Sequence, residues 1–289
     1  MLDNISPERP VLIAGTTASG KSALALEIAA RQGGVIINAD ALQVFANWHV
    51  LTARPSPQEI ALTPHALYGH IPGSQGYSVG HWLRDLAPFL NGAQRPIIVG
   101  GTGLYFSALT EGLADIPDIP KAIRQQADAR MQAEGHRALL DDLDPSTVRR
   151  IDTNNPVRVQ RAWEVFQATG RGLAAWQDDT PAPLLALPNA ETILIDAARD
   201  WLAERADRRF DLMLKNGALD EARANLADWD PMRPSSKAIG APELIAYLTG
   251  KMSLEQAGDS AKTATRRYAK RQRTWFRARM KTWNRLARP

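Results

Sequence analysis

Short runs of apolar residues, each followed by a polar loop, mark the first hundred positions of the chain. Val11–Ala14, Val35–Ile37 and Pro96–Val99 are apolar throughout, as expected for parallel strands buried on both faces. After the first run, apolar positions from Ala23 to Ala30 suit a helix. Glu191–Ile195 has the composition of one further strand. Strands that alternate with helices predict an α/β protein, with a parallel sheet core flanked by helices.

The character of the sequence changes near Pro117. From there to about Pro188 the chain is polar and helix-forming, with helices predicted at 122–143 and 155–169. Helical sequence dominates again from Trp201 to the end of the chain. We therefore predict a core that begins at 1–116, a helical insertion domain at 117–190, and a segment at 191–289 that completes the core and adds basic C-terminal helices.

Composition and charge exclude several classes of protein and indicate one kind of partner. The chain has 289 residues and no cysteine, which excludes disulfides, thiol catalysis and cysteine-ligated metal sites. The first residues are polar, and no apolar run approaches the ~20 residues of a membrane span, so we expect a soluble, cytoplasmic protein. The last 30 positions carry 11 Lys and Arg and no acidic residue. A basic end of this kind indicates a polyanionic partner, with a solubilising tail as the alternative.

Residues 15–22 read Gly-Thr-Thr-Ala-Ser-Gly-Lys-Ser and match the phosphate-loop pattern G-x-x-x-x-G-K-[ST]. They lie between a predicted strand and a predicted helix, which is the context that the pattern requires. Glycines let successive N–H groups point at one anion, and the helix N-terminus adds positive potential. The pattern therefore predicts a P-loop NTPase-like core. Its diphosphate-binding residues would be Gly15, Thr16, Thr17, Ala18, Ser19, Gly20, Lys21 and Ser22, and the Ser22 hydroxyl would also reach Mg²⁺.

Two further loops follow predicted strands. Asp40 comes after the second strand, and Gly100–Tyr105 forms a second glycine-containing loop around Thr102. Ligands of open α/β sheets bind beyond the carboxyl ends of the strands, so we expect both loops near the phosphate loop. Asp40 would bind magnesium, cap a helix or accept a proton. Asp196 would either act as a magnesium ligand at the end of a Walker-B-like strand or simply begin a polar loop.

These motifs, in this order, resemble the tRNA dimethylallyltransferase family, also called the tRNA isopentenyltransferases. The resemblance covers nearly the whole chain. It is carried by the phosphate loop, Asn38–Phe45, Tyr77–Val79, Gly100–Tyr105, Asn155–Val165, Ala238–Gly240 and Ala264–Gln272. Five positions depart from the usual family pattern, namely Thr16, Ser22, Ala41, Ala66 and Ala241. The departures at Thr16 and Ser22 preserve the phosphate chemistry.

The resemblance implies transfer of a dimethylallyl group from dimethylallyl diphosphate to N6 of the adenosine immediately 3′ of the anticodon. Asp40 would accept the proton from the amine, and Thr102 would help to hold it. Lys21, the loop N–H groups, Mg²⁺ on Ser22 and an arginine would stabilise the departing diphosphate. The arginine region of the family matches Arg209, together with Arg205 four residues earlier.

The resemblance also implies an interface for the tRNA anticodon stem-loop. Its candidate contacts are Asp40, Ala41, Leu42, Gln43, Thr102, Arg124, Val157, Arg158, Val159, Gln160, Arg161, Arg266 and Lys270. Arg266, Lys270, Arg273, Arg277 and Lys281 share one helical face by their spacing. Tyr268, Trp275 and Trp283 recur on another face, where we expect them to pack in the core.

Three alternative functions are considered for this sequence. A related isopentenyltransferase would use a free adenine nucleotide, although such a substrate needs neither a helical insertion nor a basic terminal helix. A P-loop nucleotide kinase would transfer phosphate and form no prenyl product. An RNA-binding protein with a vestigial loop would have no activity to lose. We expect a monomer that has no membrane partner.

Overall fold

The computed structural model describes residues 5–289. They form two compact units. The first is built from the chain up to Thr110 together with Leu184–Pro289, and the second is Glu111–Pro183. No helix in the described part of the chain is long and apolar enough to cross a membrane.

The first unit contains a six-stranded sheet in which every neighbouring pair of strands is parallel. The strands are β1 (Val11–Gly15), β2 (Val35–Asn38), β3 (His65–Ala66), β4 (Pro96–Gly100), β5 (Glu191–Ala197) and β6 (Asn284–Arg288). Their spatial order is β3-β2-β4-β1-β5-β6. The predicted α/β class and the four predicted strands are confirmed.

Twelve α-helices accompany the sheet in residues 5–289. They are α1 (Lys21–Gln32), α2 (Pro57–Leu62), α3 (Val79–Leu90), α4 (Gly103–Glu111), α5 (Lys121–Glu134), α6 (Pro145–Arg150), α7 (Pro156–Thr169), α8 (Leu173–Asp178), α9 (Arg199–Lys215), α10 (Ala218–Ala224), α11 (Ala241–Leu248) and α12 (Leu254–Arg279). The longest, α12, begins at a Ser253 capping box, in which the Ser253 hydroxyl accepts the backbone N–H of Gln256.

The prediction of helix to the end of the chain is wrong. Helix α12 ends at Arg279, so Lys281 lies outside the helical face on which its spacing had placed it. The chain then returns to the sheet as β6, which pairs in parallel with β5 from Ile193↔Asn284 to Ala197↔Arg288. The sequence Asn-Arg-Leu-Ala-Arg lacks the β-branched and aromatic residues that mark strands, and only Leu286 of the five is not exposed. As an edge strand, β6 needs little apolar character.

Apolar side chains cover both faces of the sheet. On one face Leu12, Ile37 and Ile98 pack with Phe106 of α4 and Phe276 of α12. On the other face the alternate strand residues, which include Ile13, Ile36 and Val99, pack against Leu24 and Ile28 of α1. Burial of both faces explains why the strands are apolar at successive positions.

The second unit has a core of its own, built around Leu139, Val159 and Trp163. The helix predicted at 122–143 is interrupted. Gly135 has a φ of 77° and ends α5, and residues His136–Asp142 form a tighter 3₁₀ helix. Helix α7 occupies the second predicted segment, with the Asn155 side chain accepting the N–H groups of Val157 and Arg158 as its cap.

Strand order brings three loops to one edge of the sheet. Strand β4 lies between β2 and β1, with Ala14 in register with Gly100 and Asn38 in register with Val99. The loops that leave β1, β2 and β4 therefore emerge side by side. They are the phosphate loop, the loop that carries Asp40 and the loop that carries Thr102.

Candidate active site

The phosphate loop connects β1 to the N-terminus of α1. Gly20 has a φ of 89° and precedes the first helical residue, Lys21. The loop is tightened by a backbone hydrogen bond of 3.3 Å from the Ser19 N–H to the Thr16 carbonyl. The Lys21 ammonium donates to the same carbonyl at 3.4 Å. The predicted strand–loop–helix arrangement is thus present, with a cation at the helix N-terminus.

The loop contains buried polar groups that lack a protein partner. The hydroxyls of Thr16 and Ser19 are buried and have no hydrogen-bond partner within the described part of the chain. Leaving such groups unpaired costs about 1–3 kcal/mol each. An anion seated in the loop would bring acceptor oxygens to these donors, so the loop is arranged for a ligand.

The surroundings of Lys21 and Arg209 disfavour the protonated forms of these two side chains. Burial lowers the pKa of Lys21 from 10.5, the Asp40 carboxylate raises it and the Arg209 guanidinium lowers it, and the result is about 8. Burial also lowers the pKa of Arg209, while Asp40 raises it and Arg205 lowers it. The crowding of cations in a partly desolvated space is typical of a site that awaits an anion.

The two predicted arginines come from α9 and reach the phosphate loop. Arg209 donates through Nη1 to the Thr17 hydroxyl at 3.4 Å. Arg205 donates through Nε to the Ala18 carbonyl at 3.0 Å, and its guanidinium lies 4.5 Å from the ring centroid of Trp201. Since residues 205 and 209 are one helical turn apart, a single helix supplies both charges.

Asp40 is held by a network at the end of β2. The buried Asn38 side chain accepts the Asp40 N–H at 2.8 Å and donates to the Asp40 carbonyl at 2.9 Å. The Leu42 N–H donates to Oδ1 of Asp40 at 2.9 Å. Among residues 5–289, Oδ1 is the only oxygen of this carboxylate that receives a hydrogen bond from the protein. The second oxygen therefore remains available to a ligand.

Thr102 ties the third loop to the second. Its hydroxyl accepts the Ala41 N–H at 2.9 Å, and its own N–H donates to the Ala39 carbonyl at 3.2 Å. A side chain at Gly100 would overlap that carbonyl, so this close approach requires glycine. The Asp40 and Thr102 loops are consequently one hydrogen-bonded structure.

One cavity is lined by residues of the phosphate loop, the Asp40 loop, α9 and α12. Its polar wall consists of Thr17 from the phosphate loop, Asp40, Thr52, Arg209, Thr265 and Tyr268. Its apolar wall consists of Leu42, Leu51, Ala206, Phe210, Met213 and Ile239. A cavity lined by an arginine, the phosphate loop and several alkyl and aryl groups suits a ligand that is both anionic and apolar.

Helix α12 adds two residues that sequence reasoning missed. Gln272 accepts the Thr17 N–H and donates to the Gly101 carbonyl, both at 2.9 Å. Tyr268 lines the cavity, which corrects the expectation that it only packs in the core. Trp275 and Trp283 do pack in the core, as predicted. Spacing shows that residues 268 and 272 share a face, but a basic segment gives no indication that one of its glutamines is buried.

The predicted magnesium site rests on one protein ligand. Ser22 lies in the first turn of α1 and is exposed. Within residues 5–289 no group of three or more histidine, cysteine or acidic side chains could hold a metal ion. Mg²⁺ is often bound by one or two protein ligands, with substrate phosphates and water as the others. A lone hydroxyl beside an anion site fits that pattern. Asp196, the alternative magnesium ligand, is paired with Arg285 of β6 at 3.0 Å.

The candidate RNA contacts differ in exposure. Arg124, Arg158 and Val157 are exposed in the second unit, and Val157 is 75% exposed. Val159 is 0% exposed within the core of that unit, so the prediction that its side chain contacts RNA is wrong. Gln160 donates to Asp128 at 2.7 Å, and Arg161 lies 4.0 Å from Glu164.

Some candidate RNA contacts in the first unit already make hydrogen bonds or ion pairs within the protein. Gln43 donates to the carbonyls of Thr52 and Ala53, at 2.8 and 3.1 Å, and braces the loop beside the cavity. Arg266 pairs with Asp207 at 2.7 Å, while Lys270 is exposed on α12. Both cations are exposed, but only Arg266 has a carboxylate partner among the described residues.

Comparison with protein families gives two matches. The family described as IPP transferase matches residues 43–279, and the one described as isopentenyl transferase matches residues 9–68. A tRNA dimethylallyltransferase of Cereibacter sphaeroides (strain ATCC 17025) is 60% identical over 285 residues, which are 99% of this chain and 98% of the relative.

Solved structures similar to this chain include the following two. The full-length tRNA isopentenylpyrophosphate transferase of Bacillus halodurans is 33% identical, with a TM-score of 0.68 over 97% of this chain and 90% of that one. A eukaryotic dimethylallyltransferase described as acting on tRNA is 25% identical, with a TM-score of 0.82 over 97% of this chain and 74% of that one.

Proposed function

The chain belongs to the tRNA dimethylallyltransferase family, and from this premise we propose how its residues perform the reaction. The protein is a prenyltransferase that modifies tRNA. It transfers the dimethylallyl group of dimethylallyl diphosphate to N6 of the adenosine immediately 3′ of the anticodon and releases diphosphate. The observation that carries the assignment of roles is the single cavity in which the phosphate loop, Asp40 and an apolar wall meet.

The donor binds with its diphosphate on the phosphate loop. The N–H groups at the start of α1, the Lys21 ammonium and the Arg209 guanidinium converge on this position. Arg205 adds a second charge from the same helix. The apolar side chains of Leu51, Phe210 and their neighbours enclose the dimethylallyl group. These donors are fixed before the reaction, which makes them effective stabilisers of the charge that develops on the leaving group.

The acceptor is an adenine that is turned out of the RNA stack, at a cost of a few kcal/mol. Its exocyclic amine is a poor nucleophile because the nitrogen lone pair is delocalised into the ring. We assign Asp40 as the acceptor of the N6 proton and Thr102 as the hydroxyl that helps to position N6. The Asn38 and Leu42 contacts support this role, since Asn38 fixes the Asp40 backbone and the Leu42 N–H holds one carboxylate oxygen.

The bonds and charges of the step balance. N6 of adenine forms a bond to C1 of the dimethylallyl group while the bond from C1 to the diphosphate oxygen breaks. The departing diphosphate takes the electron pair of that bond. The N6 proton passes to the Asp40 carboxylate, so neutral adenine gains a neutral alkyl group. Lys21 and Arg209 face the oxygens on which the new charge accumulates.

We assign the divalent cation of the reaction as Mg²⁺, held at Ser22. When bound, Mg²⁺ neutralises part of the diphosphate charge and favours departure of that group. On the RNA side, we assign the exposed Arg124, Arg158 and Val157 of the second unit and Lys270 of α12 to contacts with the anticodon stem-loop. Basic side chains on phosphates supply orientation and affinity, and Val157 is an apolar contact for an unstacked base.

A substrate comparison tests the proposal. The purified protein is supplied with radiolabelled dimethylallyl diphosphate and either tRNA or AMP, and a parallel reaction contains AMP with labelled ATP. We expect label in tRNA, little label in AMP and no transfer of phosphate. Transfer to AMP alone would instead assign the free-nucleotide reaction. Phosphate transfer without a prenyl product would assign a kinase.

A further inference from the structure

The carboxamide of Gln272 lies between the two loops that bind the two substrates. Gln272 is 6% exposed, although the surrounding segment of α12 is rich in exposed arginine and lysine. Its Oε1 accepts the Thr17 N–H at 2.9 Å and its Nε2 donates to the Gly101 carbonyl at 2.9 Å. A single side chain therefore joins α12, the phosphate loop and the loop after β4.

Each segment that Gln272 contacts is bonded to, or adjoins, a residue that we assign to substrate binding. Thr17 also receives Arg209 on its hydroxyl. Gly101 precedes Thr102, which accepts the Ala41 N–H next to Asp40. If Gln272 were apolar, the Thr17 N–H and the Gly101 carbonyl would each lose a buried partner, and both loops would be freer to shift.

Tyr268 extends the connection on the same face of α12. Burial raises the pKa of the Tyr268 hydroxyl, as does the Asp40 charge, while hydrogen bonds from the Thr102 and Gln272 side chains lower it. Tyr268 thus lies one helical turn from Gln272, and its hydroxyl is within electrostatic reach of Asp40. Hydrogen bonds run from the Thr102 loop through α12 to the phosphate loop.

We propose that Gln272 is a positioning residue for prenyl transfer, because its carboxamide sets the separation between the phosphate loop and the Gly101–Thr102 loop. This role rests on the proposed function. The transferred carbon is attached to a diphosphate held by one loop and is attacked by an amine held at the other. A misplacement of about 1 Å between reacting groups can cost on the order of 10²-fold in rate. Gln272 itself is not among the residues that line the cavity assigned to the substrates.

Gly101 offers a way to displace the carboxamide without altering it. A Cβ at Gly101 would overlap Nε2 of Gln272, while its distance from the Asp40 carboxylate, 3.5 Å, is an ordinary contact. The Gly101 backbone is outside the left-handed region, so alanine is tolerated there. Gly101→Ala should therefore push the amide away in the wild-type background. It should have little further effect once Gln272→Ala has removed the amide.

The experiment compares wild type, Gln272→Ala, Gly101→Ala and the double variant, with Thr274→Ala as the control on an exposed position of α12. Prenyl transfer to tRNA is measured over a range of both substrates, and thermal unfolding is recorded for each protein. We expect kcat to fall roughly 30–100-fold in both single variants, with both KM values within about threefold of wild type. The double variant should be no slower than the slower single variant. Thr274→Ala should match wild type.

Several results would overturn the proposal. A Gln272→Ala protein with wild-type kcat would remove the positioning role, and so would a loss confined to KM. Multiplicative losses in the double variant would show that Gly101→Ala acts by another route. A fall in activity that only follows a fall in the unfolding temperature would mark Gln272 as structural. A wild-type protein that fails to prenylate tRNA would instead refute the proposed function itself.

Discussion

Asp40 is the residue whose chemistry depends most on its local fold. Its backbone is fixed by Asn38, and only one carboxylate oxygen is used by the protein within the described chain. Its charge raises the pKa of both Lys21 and Arg209, so it lies within electrostatic reach of the phosphate loop. In the proposed mechanism this carboxylate, which lines the cavity, faces the acceptor amine.

Asp40→Asn should separate proton transfer from binding. The asparagine carbonyl can still accept the Leu42 N–H, so the loop should keep its shape. We expect kcat to fall by about 10²–10⁴-fold, the usual contribution of a general base, while binding of tRNA and of inorganic pyrophosphate stays within about threefold. Steady-state kinetics and equilibrium binding check this. Wild-type kcat in the variant would exclude Asp40 as the base.

When no ligand is bound, the charged Lys21 side chain lowers the free energy of unfolding because it is partly removed from water. Its pKa in the folded chain is about 8, below the ordinary 10.5, so the unfolded chain binds more protons between these values and stability should rise with pH across that window. Below about pH 8 both states are protonated and the full cost remains.

Lys21→Met should therefore stabilise the unliganded protein by about 1–3 kcal/mol at pH 7. The difference from wild type should shrink as the pH rises from about 8 to 10.5. Urea denaturation at pH 7 and pH 10 measures both effects. A variant that is less stable than wild type at pH 7 would contradict the assignment of a desolvated ammonium. The same variant should bind pyrophosphate more weakly.

At the residue scale, the sequence identifies groups that belong to local patterns. The phosphate loop is contiguous, and Asp40 and Thr102 each follow an apolar run. Gln272 could not be recognised in this way, because its partners, Thr17 and Gly101, are 255 and 171 positions away. Its burial depends on the path of α12 across the sheet edge. No local pattern encodes that path.

Helix α9 supplies the arginines of the site, and its neighbouring residues provide an internal control. Arg209 is directed to Thr17, whereas the adjacent Arg208 is exposed and pairs with Glu204 on the same helix. One helical turn thus carries an arginine directed at the phosphate loop and an arginine paired on the surface.

Arg209→Ala should lower kcat by about 10²–10³-fold, the usual effect of removing one preorganised donor to a developing charge. It should also weaken pyrophosphate binding. Arg208→Ala, which removes the same charge from the same helix, should leave both within about twofold, because exposed ion pairs contribute little. Titration with pyrophosphate and steady-state kinetics compare the two. Equal losses in both variants would mean that only the general charge of α9 matters.

Strands and helices with a clear local pattern of apolar residues can be predicted from the sequence. Elements whose position depends on distant partners cannot. Strands β1, β2 and β4 were apparent because burial on both faces makes them apolar throughout. Strands β3 and β6 were missed, since β3 has two residues and β6 is an exposed edge strand. The break at Gly135 was missed as well, although a positive φ at glycine is a common helix end.

The whole molecule has an uneven charge. The last 30 residues carry 11 basic and no acidic side chains, and many of these cations lie on α12. Arg266 is neutralised by Asp207 and Lys262 by Asp211. Arg267 and Lys270 are exposed on the same helix, so they are the better candidates for contact with RNA phosphates.

Replacing Arg267 and Lys270 by glutamine should weaken tRNA binding and reduce its salt dependence. Each lost phosphate contact removes about 0.7–0.9 from the slope of log K against log salt. Arg208 and Arg223, which are exposed and paired with carboxylates, provide a control with the same change in charge. Filter binding between low and moderate salt measures the slopes. An unchanged slope in the α12 variant would assign these two residues to the fold alone.

The central claim is that this molecule places a prenyl donor and an extruded adenine on opposite sides of one cavity. Nucleoside mass spectrometry of tRNA incubated with the purified protein and dimethylallyl diphosphate tests it most directly. The claim predicts a dimethylallyl group on N6 of the adenosine immediately 3′ of the anticodon, and no such product when Asp40→Asn replaces wild type under the same brief incubation. Unmodified tRNA with the wild-type protein, or a prenyl group elsewhere in the RNA, would contradict the claim.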